Sequence, residues 1–180
     1  DVERSRGLGD VYKRQSFANE NIVEILKKEN NIIFIRHAIA PGNGDPPNFD
    51  ILDCSTQRNL SKEGELQALK IGKFFKENDI NFTKVISSEW CRCKDTAKIA
   101  FGNYETKNFL NSFYDERFSE NKDKQILDFQ KFIKNWNYSG NLALVTHYVV
   151  ISEILDLATS SGEIVITDNN LKFLGSLEIN

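Results

Sequence analysis

Only two histidines occur in this 180-residue sequence, and both directly follow apolar runs of strand length. Asn31-Ile-Ile-Phe-Ile leads into Arg36-His37, and Asn141-Leu-Ala-Leu-Val-Thr leads into His147. A third run, Thr83-Lys-Val-Ile, ends in Ser87-Ser88, with Arg92 four residues beyond Ser88. An imidazole with one free ring nitrogen is a competent nucleophile near neutral pH. Arginine forks match phosphate oxygens and stay charged. Two of each around one point would bind a phosphoryl group. One imidazole could then take that group onto nitrogen, and water would resolve the phosphohistidine. The arginines and the second histidine would hold the charge on the equatorial oxygens in flight. Fixed cationic side chains supply the charge, so the reading calls for no metal and no cofactor.

Such chemistry needs the three strand ends side by side. Continuous apolar runs are the signature of strands buried on both faces. Helical patterns separate them. Asn21 to Glu29 places Ile22, Ile25 and Leu26 on one side. Ser61 can cap a helix reaching about Asn78, with Ala68, Ile71 and Phe75 on one stripe. Trp90 to Phe101 reads as a helix, as does the segment with Ile126, Phe129, Ile133 and Trp136. A further helix after His147 turns Ile151, Ile154, Leu155 and Ala158 inward. Glu163 to Thr167 and Leu171 to Ile179 read as strands joined by the turn Asp168-Asn169-Asn170. Alternating strands and helices predict an α/β fold: a three-layer αβα sandwich with a mainly parallel central sheet. In such sheets ligands bind beyond the carboxyl ends of the strands. Arg36, His37, Arg92 and His147 would then share one crevice, with helix N-termini adding backbone donors.

Composition narrows the class. Hydrophobic residues make up 40% and charged residues 27%, the balance of an ordinary globular chain. A net charge of −3 argues against a broad nucleic-acid footprint. No run approaches the roughly 20 apolar residues of a membrane span. Two histidines and three cysteines lack the paired spacings of a zinc site. Residues 1–15 (DVERSRGLGDVYKRQ) show neither helical nor strand periodicity and read as a non-native or disordered leader. Residues 16–180 then form a single domain whose natural N-terminus is missing. The compartment and oligomeric state stay open.

Four segments resemble the histidine phosphatase superfamily, also called phosphoglycerate mutase-like, over about Ile32 to Glu178. Ile35-Arg36-His37-Ala38 stands where the family has Arg-His-Gly. Asn59-Leu-Ser-Lys-Glu-Gly-Glu-Leu-Gln-Ala68 resembles its Leu-Thr-x-x-Gly-x-x-Gln-Ala helix start. Ser87-Ser-Glu-Trp-Cys-Arg92-Cys-Lys-Asp-Thr-Ala97 resembles its Ser-Ser-x-x-x-Arg-x-x-x-Thr-Ala segment, and Val145-Thr-His147 its Val-x-His. The resemblance implies a small metal-independent phosphatase. His37 would carry the phosphoryl group, Arg36 and Arg92 would bind it, and His147 would complete the pocket. Ala38 in place of glycine restricts the backbone there.

Relatives commonly draw a general acid from the segment before the second histidine. Asp115 and Glu116 match by position, with Asp45 and Asp53 in the long loop 38–59 as rivals. Arg58 is a further phosphate-binding candidate. Substrate specificity is expected from Pro41 to Ser55 and from Asn103 to Asp123, with Trp90 and Phe113 at the pocket mouth. A cysteine-based phosphatase needs Cys-x5-Arg. The residues at that offset from Cys54, Cys91 and Cys93 are Leu60, Ala97 and Ile99, which disfavours that class. Cys54 can pair with Cys91 or with Cys93. The expected substrate is a phosphate monoester or a phosphohistidine, on a small molecule or a phosphoprotein. The alternatives are a phosphate-binding signalling module with weak turnover and a phosphomutase.

Overall fold

A computed structural model describes residues 21–136 and 139–179. The leader read over residues 1–15 lies outside them. Residues 21–27 are helical (α1). The helix stops short of Glu29 because Glu29 and Asn30 both adopt left-handed backbone, with φ near 58° and 59°. Strand β1 follows at Ile32–Arg36, then the long loop with a short 3-10 turn at Cys54–Thr56, and α2 at Lys62–Glu77. The chain continues through β2 (Phe82–Ser87), α3 (Cys91–Phe101), β3 (Glu105–Thr106), a second 3-10 turn (Asn108–Leu110), α4 (Glu116–Ser119) and α5 (Lys122–Asn135). It ends with β4 (Asn141–Thr146), α6 (Tyr148–Leu155) and the hairpin β5 (Ile164–Thr167) and β6 (Phe173–Leu177).

These strands form one sheet in the order β3-β2-β4-β1-β5-β6. The first four run parallel, and the hairpin closes one edge antiparallel. The fold is therefore the mixed, mainly parallel three-layer sandwich that the alternation of elements predicts. Strand side chains alternate between faces. Ile33, Ile35, Ala143, Val145, Ile164 and Ile166 pack beneath Leu26, Ile71, Phe75, Cys93 and Ala97 from α1, α2 and α3. Ile32, Phe34, Leu142, Leu144 and Val165 pack against Phe129, Ile133, Val150 and Ile151 from α5 and α6. Both faces of β1 and β4 are buried, which explains their uninterrupted apolar runs.

Two expectations shift. Helix α6 ends at Leu155 because Asp156 turns left-handed (φ 55°) and donates its N–H to the Ser152 carbonyl, so Ala158 lies beyond the helix. Phe113 packs into the cluster under α5 rather than at the pocket mouth. Ser61 does cap α2, accepting from the Gly64 N–H at 3.1 Å, and Ala68, Ile71 and Phe75 are buried on the predicted stripe. Gly64 has a packing reason: a Cβ there would lie 2.0 Å from the Ile39 carbonyl oxygen. The first turn of α2 thus rests directly on the loop that follows His37.

The disulfide joins Cys54 to Cys91, and Cys93 stays free and buried. The bridge fastens the long loop to the first residue of α3, one position before Arg92. It closes a 37-residue separation, for which chain entropy gives a stabilisation of about 2–4 kcal/mol. Reducing it, or replacing both cysteines by serine, is expected to lower Tm by roughly 5–15 °C. An oxidised protein with three alkylatable thiols and an unchanged Tm would contradict the pairing.

Candidate active site

The order β2-β4-β1 brings the three chemistry-bearing strand ends together. Arg36 pairs with Thr146 and Ser87 with Val145 in register. Hydrogen bonding continues past the strands: the His37 N–H donates to the Thr146 carbonyl and the Ser88 N–H to the Val145 carbonyl, both at 2.9 Å. His37 and His147 therefore emerge side by side, with ring centroids 5.5 Å apart in an edge-on arrangement. Arg36, His37, Arg58, Arg92 and His147 line one pocket, together with Asp45, Trp90 and Tyr148. The sequence reading named the first five of these as site residues. Their placement in one crevice follows from strand order.

The hydrogen bonds fix the ring states. His37 Nδ1 lies 2.8 Å from the Ala38 carbonyl, which can only accept, so Nδ1 carries the proton and the Nε2 lone pair is free. Ala38 keeps an ordinary negative φ, so alanine in the glycine position costs no backbone strain. Its N–H donates to Thr96 Oγ1, which donates on to the Arg92 carbonyl. The threonine of the Arg-x-x-x-Thr spacing thus ties the His37 loop to α3.

His147 is held by a relay that sequence reasoning missed. Ser88 Oγ gives its proton to Asn111 Oδ1 at 3.0 Å, so it accepts from His147 Nε2–H at 2.9 Å. His147 Nδ1 is left facing Arg92 Nη2 at 3.5 Å. Asn111 follows a 3-10 turn in an irregular stretch, where no periodicity marks it.

Both imidazoles are buried, and burial pushes their pKa well below 6.5. The charge of Arg92 adds to this. They are neutral near pH 7 and ordinary imidazoles once unfolded. Below about pH 6.5 the unfolded chain binds more protons, so stability is full above that value and lost as pH falls. Each histidine contributes up to roughly 1.4 kcal/mol per pH unit. Thermal melts from about pH 8 to pH 5 are expected to show a level Tm that declines on the acid side. A Tm that rises with acid would contradict the assignment.

Among the described residues, two buried guanidinium donors have no partner: Arg36 Nε and Arg92 Nε. Each guanidinium is anchored through other nitrogens. Arg36 Nη1 donates to the Thr159 carbonyl, and the Arg36 guanidinium lies 5.6 Å from the Tyr148 ring centroid. Arg92 makes a two-pronged pair with Asp45, Nη1 to Oδ1 at 2.8 Å and Nη2 to Oδ2 at 3.1 Å. Arg58 donates from Nε to the Gly44 carbonyl and from Nη1 to the Ala40 carbonyl. Buried donors are seldom left unpaired, so both arginines that line the pocket keep hydrogen-bonding capacity in reserve.

The carboxylates separate by environment. Asp115 lines the pocket rim, caps α4 through the Arg117 N–H and holds the Arg117 guanidinium. That arginine pushes its pKa down to about 2. Glu116 is the exposed first residue of α4 and does not line the pocket. Asp53 is exposed and caps the first 3-10 turn. Asp45 is buried in the pocket, its side chain 7% exposed. The Cys93 thiol, 3.4 Å from His147 Nε2, is pushed up to about 12 by burial, which leaves it inert.

Residues 32–122 match the profile of the Histidine phosphatase superfamily (branch 1). The broad-specificity phosphatase YOR283W of Saccharomyces cerevisiae is 31% identical over 88 residues, 47% of this chain and 36% of that protein. The chain thus spans about a third of the length of this curated relative. The protein histidine phosphatase SixA, solved with tungstate, superposes with a TM-score of 0.57 at 12% identity, covering 82% of this chain and 96% of its own. A phosphoglycerate mutase from Thermus thermophilus gives 0.57 at 17% identity, covering 83% and 99%. These structural likenesses are likenesses of fold.

Proposed function

The chain belongs to the histidine phosphatase superfamily, and from that premise we propose that it is a phosphatase acting through a phosphohistidine at His37. The observation that carries this reading is the free Nε2 of His37 in a pocket lined by Arg36, Arg58, Arg92 and His147. The Arg36 and Arg92 guanidiniums receive phosphoryl oxygens. Arg58 adds a third cation to the wall, and His147 completes it. His37 Nε2 forms the N–P bond as the P–O bond to the leaving group breaks. The leaving oxygen takes a proton. Water then attacks phosphorus, the electron pair of the N–P bond returns to Nε2, and inorganic phosphate departs. Guanidinium charge does the work of stabilising the equatorial oxygens, so turnover is expected to persist in EDTA.

The substrate class is a phosphate monoester or a phosphohistidine. Asn43, Gly44 and Asp45 from the long loop and Ser112, Tyr114 and Phe118 from the other flank surround the pocket. These belong to the two segments from which specificity was expected. Asn43 Nδ2 donates to the Tyr114 hydroxyl at 3.2 Å, bridging them. The leaving group would meet this bridged rim. Hydrolysis of p-nitrophenyl phosphate, small-molecule phosphates and a phosphohistidine peptide in EDTA tests the reading. Release of phosphate from at least one substrate is expected. Silence across the panel, with intact folding, would overturn it.

A further inference from the structure

We propose that Asp45 is the proton donor to the leaving group, a catalytic residue supplied by the long loop and held in place by Arg117. This rests on the phosphatase reading and deepens it.

Among the described residues, two aspartates and no glutamate line the pocket. Both are held by an arginine, but Asp115 stands at the rim, 29% exposed on Arg117, whereas Asp45 is buried on Arg92. Asp45 reaches the pocket interior. Its two oxygens lie on the Arg92 guanidinium, and Arg92 lines the pocket beside His37. A phosphoryl group bound by that guanidinium would therefore lie beside the carboxyl. Trp90 Nε1 donates to Oδ2 at 3.1 Å and the Arg58 N–H to Oδ1 at 3.1 Å, which fixes the rotamer. From the far side, Arg117 clamps the backbone of the same loop. It donates to the Pro47 carbonyl at 3.1 Å and the Pro46 carbonyl at 3.3 Å, and reaches the Asp45 carbonyl at 3.4 Å. The Asp115-Glu116-Arg117 segment thus acts on the acid rather than being the acid.

The charged groups facing Asp45 are Arg92, Arg58 and Arg117, with neutral His37 and His147 across the pocket. In the resting site burial would raise the carboxyl, but the Arg92 hydrogen bonds outweigh it and hold Asp45 ionised. A bound phosphoryl group reverses that balance. It shares Arg92 and places like charge beside the carboxylate, which favours the protonated acid. A monoester that binds as its monoanion brings the proton with it. That proton passes to Asp45 and then to the leaving oxygen as the P–O bond breaks. Asp45 takes a proton from the water that cleaves the N–P bond and passes it to the departing phosphate, which leaves the carboxylate ionised as it began.

Leaving-group dependence separates this role from a merely structural one. p-Nitrophenolate leaves without a proton, whereas an alkoxide does not. Asp45→Asn is expected to lower kcat/KM for an alkyl ester such as glycerol 2-phosphate by about 10²–10³, and for p-nitrophenyl phosphate by no more than about tenfold. Equal losses on both esters, in a variant with an unchanged melting transition, would overturn the proposal. If Asp45→Asn does not fold, the wild-type protein decides. A proton donor gives a shallow dependence of kcat/KM on leaving-group basicity across aryl and alkyl phosphates, and a steep one would overturn the assignment. Formation of a phosphoenzyme alongside either negative result removes Asp45 alone. Absence of any phosphoenzyme removes the underlying phosphatase reading with it.

Discussion

His37→Ala is expected to abolish turnover, by roughly 10⁴–10⁶-fold in kcat, as removal of a catalytic nucleophile does elsewhere. The free Nε2 exists because Nδ1 spends its proton on the Ala38 carbonyl. Its neighbours are poor replacements. His147 has its Nε2 on Ser88 and turns Nδ1 toward Arg92, and the Cys93 thiol is protonated and buried. The cost in stability is small, about 1 kcal/mol for the lost hydrogen bond, since the imidazole is neutral and faces cations. A folded, inactive variant is the expected result on every substrate in the panel. Retention of more than about a tenth of wild-type activity would remove His37 from the mechanism.

Arg92→Ala is expected to fail in two ways. The phosphoryl group loses a guanidinium and its full positive charge, for a loss of about 10³ in kcat/KM. Asp45 is also left as a buried carboxylate without its counter-ion, which costs about 3–5 kcal/mol. Adding Asp45→Asn to Arg92→Ala is expected to restore much of the stability and none of the activity. Arg92→Lys is not conservative here, because an ammonium cannot span both Asp45 oxygens and still present a third donor. Denaturant unfolding read beside kinetics separates the effects. An additive double variant, with no recovery of stability, would contradict the pairing seen at 2.8 Å.

The parts of this site that rest on strand ends were legible in the sequence. A buried parallel strand must run apolar to its end, so a polar pair such as Arg36-His37 at that end marks a mouth. Arg92 was legible through its offset from Ser88. Ser61 and the Ala68, Ile71, Phe75 stripe followed from capping and helical period. The rest depended on chain passing between distant segments. Asp45 meets Arg92 across 47 positions, and nothing local to a Gly-Asp-Pro-Pro loop announces its partner. Asn111 reaches Ser88 from an irregular stretch, and β3 is only two residues long, too short to show a period. Asp115 and Glu116 matched by position in the chain, yet geometry gives them to a helix cap and to solvent. The cysteine pairing was open because spacing alone does not choose between Cys91 and Cys93; the structure places Cys91 against the loop and turns Cys93 toward His147.

The central claim is a covalent phosphoryl group on one imidazole nitrogen. Mixing the wild-type protein with a radiolabelled phosphoryl donor and quenching in alkali within the first turnover tests it directly. Label is expected on the protein that survives alkali and is released by acid, mapping to the peptide that contains His37 and absent from His37→Ala. Rapid phosphate release with no label at any quench time, or label that persists in His37→Ala, would contradict it.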